Sequence, residues 1–249
     1  MSHPNLQDGM QQEVLSHPVA FGCVIVGVAF WLVAYGLAIY NGFRNRTYCI
    51  PVAAVCCNIA WEAVSCFLRP PPVKLWHYGS FLWFAVDLVI VYQVFRFGRA
   101  RQTIPELRQW FYPMVVGAIV LAFAGQDLLS AYIHDPFAYL SSYMINLTMS
   151  ILFIFMFFAR RGTHPRTHDN VAYGIGWTKM IGTGIISLAL ITFWQIFYPL
   201  KKQTAFVWIL LSTVFSIDMI YILLLRRARA LAATSASDQG STTPATKEA

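Results

Sequence analysis

AFVWILLSTVFSIDMIYILLL, residues 205–225, has 21 residues with one charged side chain, Asp218. A helix of about 20 apolar residues spans about 30 Å of hydrocarbon at about 1.5 Å per residue. The run is therefore long enough to cross a bilayer, and it carries an acid near its middle. AVCCNIAWEAVSCF, residues 54–67, repeats the pattern with Glu62. An ionised carboxylate is costly in hydrocarbon and needs a partner, a wet cavity or a proton.

The rest of the chain has the same character. Of its 249 residues 57% are hydrophobic and 12% charged, about half the charged share of a soluble domain, and the mean hydropathy is +0.55. Apolar blocks fall at 19–40, 48–68, 76–97, 111–132, 137–159, 178–198 and 205–225. They predict an all-α, polytopic membrane protein, a seven-transmembrane-helix bundle over 19–231. A lead of residues 1–18 precedes it, and a small-residue polar tail, 232–249, is expected to be disordered. The lead lacks Lys and Arg and the first block lacks a small-residue cleavage site, so that block reads as a span and not a signal peptide. Seven crossings put 14 of the 18 Lys and Arg on one face, Lys179 among them. The positive-inside rule then sets the C-terminus in the cytosol and the N-terminus in the lumen or outside.

This basic face suits anionic lipid headgroups. Every basic cluster abuts a span and none comes with a recognition fold, which argues against nucleic acid. No obligate protein partner is evident. The five cysteines lack metal-ligand spacing; no metal and no cofactor are expected.

Polar residues within the spans are the candidate site. Asn58, Glu62 and Ser65 share a face of the second span beside Trp61, and Trp83 and Asp87 stand four apart on the third. The fourth carries Asp127, the fifth Asn146, Thr148 and Ser150, the sixth Trp194, and the seventh Trp208, Asp218 and Tyr221. Counting along the helices puts Glu62 and Asp127 about 8–9 Å from the luminal end and Asp87 and Asp218 about 16–20 Å deep. In one bundle interior these acids would line a tapering cavity. No Lys or Arg is expected at mid-span to pair with Glu62 or Asp218, since Lys179 falls near an interface.

Three activities fit such a cavity. The polar groups could join helices by hydrogen bonds in a structural or receptor-like protein, or the acids could carry protons or cations in a transporter. Alternatively, a carboxyl that burial keeps protonated could donate to a lipophilic substrate, with aromatic faces stabilising the cation that follows and water excluded.

Across 19–225, the seven-span layout, Asn58-x-x-Trp61-Glu62 and Asp218 resemble the small integral-membrane terpene cyclases of fungal meroterpenoid and indole-diterpene pathways, the pyripyropene cyclase-like family, which has bacterial members. The resemblance implies metal-independent, acid-initiated cyclisation of a lipophilic prenylated aromatic or polyketide substrate, often a terminal epoxide, through a carbocation cascade. It implies Glu62 and Asp218 as the catalytic acids, acting together or at opposite ends of the cascade. Asn58, Trp61, Trp83, Asp87, Asp127, Asn146, Trp194, Trp208 and Tyr221 are the substrate-binding candidates. The membrane would be that of the endoplasmic reticulum in a fungus and the cell membrane in a bacterium.

Overall fold

The computed structural model describes residues 4–133, 135, 138–160, 170–197 and 204–241. These form eight α-helices: α1 (Pro4–Leu15), α2 (Pro18–Arg44), α3 (Val52–Ala63), α4 (Lys74–Phe97), α5 (Pro105–Ile133), α6 (Tyr139–Arg160), α7 (Asn170–Phe197) and α8 (Thr204–Ser241). A π-helical turn, Val64–Leu68, extends α3, and a 3₁₀ turn, Arg99–Arg101, follows α4. Parts of the expected loops at 133–136, 160–179 and 199–204, and residues 242–249 of the expected tail, lie outside the described residues.

Proline sets several boundaries. Pro4, Pro18 and Pro105 each open a helix and Pro51 caps α3, positions where a missing N–H costs nothing. Pro70, Pro71 and Pro72 separate the π turn from α4. Six helices, α2 and α4 to α8, are long and apolar enough to cross a membrane; Val52–Leu68 is a shorter apolar helix. The protein is an all-α, polytopic membrane protein.

Three expectations change. The lead is helical: α1 buries Val14 against Ala20, Val73 and Phe193. The last helix runs on to Ser241, because Arg, Ala and Leu in RRARALAAT favour helix and no breaker intervenes before Gly240. α7 starts at Asn170, eight residues before the apolar block, since hydropathy marks only the part of a helix that lies in hydrocarbon.

The helices α2 and α7 pack most extensively. They run antiparallel, with Gly27 against Gly182 and Leu37 against Gly174. A Cβ at Gly182 would lie 2.7 Å from Trp31 Cδ1 and 2.9 Å from the Gly27 carbonyl oxygen, so only glycine permits this approach. Gly182→Ala should destabilise the protein by about 1–3 kcal/mol, read as a lower thermal midpoint in one fixed detergent. Gly184→Ala, whose Cβ would meet only Phe215 at 3.9 Å, should leave the midpoint unchanged.

Candidate active site

The helix α3 brings Asn58, Glu62 and Ser65 to one inward face, as their three- and four-residue spacing requires. The π turn begins two residues after Glu62, with the Arg69 N–H donating to the Val64 carbonyl at 2.7 Å. Such wider turns occur often at functional sites. Glu62 is 6% exposed and sits on the wall of a cavity of about 160 Å³.

Five aromatic side chains share that wall. Trp31 and Tyr35 come from α2, Trp61 from α3, Trp83 from α4 and Tyr143 from α6. The Tyr35 ring lies 5.1 Å from Trp83 and 5.9 Å from Trp31, centroid to centroid. Trp61 Nε1 donates to Ser141 Oγ at 3.1 Å, which fixes its ring.

The polar groups divide into satisfied and unsatisfied. Asn58 Nδ2 donates to the Tyr35 hydroxyl, and that hydroxyl hydrogen-bonds Asp87. Asp87 is buried behind Tyr35 and is electrostatically coupled to Glu62. Glu62 Oε2 and Asn146 Oδ1 are buried and have no hydrogen-bond partner among the described residues. Both belong to residues of the cavity wall, where no Lys, Arg or His is found among the described residues. Leaving a buried polar atom unpaired costs about 1–3 kcal/mol, so the cavity is built to receive something polar.

A ladder of three polar rungs joins α6 to α7. Tyr143 meets Ser187 (3.0 Å), Asn146 Nδ2 donates to Thr183 Oγ1 (3.1 Å), and Lys179 Nζ donates to Ser150 Oγ (2.8 Å). The last rung ends on α8, where Lys179 Nζ donates to both Asp218 carboxylate oxygens at 2.7 Å. Lys179 and Asp218 are each 3% exposed. The expectation that Asp218 lacks a basic partner is therefore overturned. Because α7 starts at Asn170, Lys179 lies nine residues inside it, about 13 Å from its end. Asp218 forms this ion pair and does not line the Glu62 cavity. Asn146 and Ser150 bond across helices as expected, whereas Thr148 Oγ1 donates within its own helix to the Met144 carbonyl.

Five other candidates also fall outside this cavity wall: Asp87, behind Tyr35, and four that stand elsewhere. Asp127 pairs with Arg69 near the end of α5: its neighbour Gln126 points inward, and one residue on a helix turns by about 100°. Trp208 is 51% exposed and faces outward. Trp194 is buried in a separate apolar cluster with Leu190, Val207 and Leu210. Tyr221 packs against Phe153 with tilted rings, centroids 5.3 Å apart, and lines a different cavity. Conversely, Trp31, Tyr35, Tyr143, Thr183 and Lys179 went unrecognised in the sequence. The first two had a readable signal, an aromatic pair four residues apart in the first span.

Among the described residues no three His, Cys, Asp or Glu side chains converge as a metal site. What the arrangement offers is a carboxyl with an unpaired oxygen on the wall of a ring-sized cavity that five aromatic side chains also line.

Residues 11–230 match the Pyr4-like transmembrane terpene cyclases. The chain is 27% identical to the terpene cyclase macJ of Penicillium terrestre over 207 residues, 80% of this chain and 78% of the other. It is 28% identical to the terpene cyclase cle7 of Aspergillus versicolor over 170 residues, 66% of this chain and 69% of the other. Similarity to the terpene cyclase spyD of Aspergillus fumigatus is 30% identity over 116 residues, 45% of this chain and 49% of the other. No solved structure matches.

Proposed function

The chain belongs to the Pyr4-like transmembrane terpene cyclases, and from that premise we propose that it cyclises a prenylated aromatic or polyketide substrate by protonation, without a metal, with Glu62 as the donor. Membership in a cyclase family displaces the transporter and receptor-like readings. The observation that carries the assignment is the pairing of an unpartnered Glu62 oxygen with a cavity walled by Trp31, Tyr35, Trp61 and Trp83.

The step balances within the substrate and one carboxyl. Glu62 gives its proton to a terminal epoxide oxygen, or to a terminal alkene carbon. The C–O bond opens, or the π bond is consumed, and a tertiary cation forms. Successive alkene π bonds attack it and rings close. Loss of a proton ends the cascade, so the product is an isomer of the substrate. Aromatic faces stabilise the travelling positive charge, and the dry wall delays capture by water. A cavity of about 150 Å³ holds a benzene-sized molecule, so about one six-membered ring fits beside Glu62 at a time. Tyr35, held by Asn58 and Asp87, keeps a fixed face toward the chain. Asn146 supplies an acceptor oxygen on the same wall.

Lys179 takes the negative charge of Asp218 out of the chemistry. In this reading Asp218 positions α7 and α8 and is not the initiating acid.

The topology proposed with this function has seven crossings. Val52–Leu68 supplies the seventh, about 26 Å long, at the short end of what spans a bilayer. Removing Lys179 from the basic face leaves the excess of Lys and Arg there intact, which supports a cytosolic C-terminus and a luminal N-terminus. Its similarity to fungal proteins supports the endoplasmic reticulum membrane.

The test is a product assay. Membranes containing the protein are given farnesylated and geranylgeranylated aromatic substrates, with and without the terminal epoxide. A cyclic isomer of unchanged mass, absent from control membranes, is the expected result. No isomer across that panel would remove the reading.

A further inference from the structure

We infer that the basic end of the bundle holds a second binding site, which takes the oxyanionic head of an amphiphile whose chain points into the protein. A cavity of about 440 Å³ opens there, lined by Arg44, Arg46, Arg101 and Arg160, with no Asp or Glu among the described residues of its wall. Arginine at the end of a span needs no ligand to explain it. Here, however, residues from α2, the segment after it, the 3₁₀ turn and α6 line one cavity. The hydrogen bonds that hold two of them go to neutral groups: Arg101 donates to the carbonyls of Asn45 and Arg46, and Arg44 to the Tyr40 hydroxyl. Their positive charge stays available to a carboxylate, enolate or phosphate, the oxyanions that a guanidinium fork fits best.

The floor of this cavity is apolar, and its position is informative. Phe153, Ile175 and Tyr221 line it, each three or four residues from Ser150, Lys179 or Asp218. On the opposite side Asn146 and Thr183, each four residues from Ser150 or Lys179, line the Glu62 cavity. The ion-pair layer thus stands one helical turn from either space. Along α2 the arginine end lies about 14 Å from Tyr35, so one long-chain molecule could straddle the layer with its head among the arginines and its far end at Glu62. Identifying that molecule with the enzyme's substrate rests on the function proposed above. The same chemistry would also admit an anionic phospholipid.

Binding separates these cases without turnover. The Glu62→Gln protein is reconstituted in phosphatidylcholine nanodiscs and titrated with tritiated 3-farnesyl-4-hydroxybenzoic acid and with its methyl ester. The acid should bind about tenfold more tightly than the ester, the size of one charge-assisted contact. Arg44→Gln/Arg46→Gln should erase that preference, and Arg44→Lys/Arg46→Lys, a control for folding, should keep most of it. Equal affinity for acid and ester, or a preference that survives the glutamine variant, overturns the site. A second arm adds phosphatidylserine to the nanodiscs. Unchanged affinity for the acid assigns the site to the substrate's head, whereas a loss confined to protein with the native arginines assigns it to lipid. Because the readout is binding, a preference for the acid would stand even if the product assay found no cyclisation.

Discussion

Glu62→Gln should lower the rate of cyclisation by about 10²–10⁴-fold, the usual contribution of a positioned proton donor, while leaving the protein folded and inserted. Glutamine matches glutamate in shape and keeps the hydrogen-bonding oxygen, but has no proton of useful acidity to give. Folding should not suffer, because Glu62 Oε2 bonds to nothing among the described residues and no cation on the cavity wall is left without its partner. The thermal midpoint in detergent should therefore stay level or rise. Substrate affinity should change little, since the aromatic wall that contacts the chain is untouched. The informative measurement is single-turnover conversion with equal amounts of folded protein. If the Gln variant stays within about threefold of the native rate, the proton comes from elsewhere. Asp87 is then the next acid to test, because it is buried behind Tyr35 and interacts electrostatically with Glu62.

The helical bundle was legible because hydrocarbon imposes a length and a composition that few other environments demand. The stripe of Asn58, Glu62 and Ser65, with Trp61 beside it, was legible for a similar reason: three- and four-residue spacing must place those polar side chains on one face. Trp83 and Asn146 line the same cavity as Glu62, and Asp87 lies behind Tyr35. Periodicity could not say which acids share a cavity. Asp127 was assigned inward from depth alone, but depth does not fix rotation about the helix axis, and there it meets Arg69. Lys179 was misplaced for the opposite reason. Its span was taken to begin where hydropathy rises, at 178, although polar turns continue the helix back to Asn170. A span start eight residues too late moved a buried cation to the interface and left Asp218 without its partner.

That partner yields the other large effect. Lys179→Met and Asp218→Asn should each destabilise the fold by about 3–5 kcal/mol, because each leaves one charge buried beside an apolar or neutral group. Replacing both, as Lys179→Met/Asp218→Leu, removes the two charges together, and apolar substitutes of similar volume are often neutral or stabilising. The double variant should thus regain most of the native thermal midpoint. Its turnover should remain well below native. A methionine in place of Lys179 cannot donate to Ser150, so one of the three rungs that join α6 to α7 is lost, one helical turn from the Asn146–Thr183 rung at the cavity wall. The contrast between the single and double variants is what decides the role of Asp218. If Asp218→Asn keeps the native midpoint and loses only turnover, Asp218 takes part in proton transfer and the ion pair is incidental. If it loses the midpoint and the double variant restores it, Asp218 is the counter-charge that lets a lysine sit at mid-span. The 2.7 Å contacts from Lys179 Nζ to both Asp218 oxygens favour the second result, since the ammonium occupies both carboxylate oxygens and Asp218 does not line the Glu62 cavity.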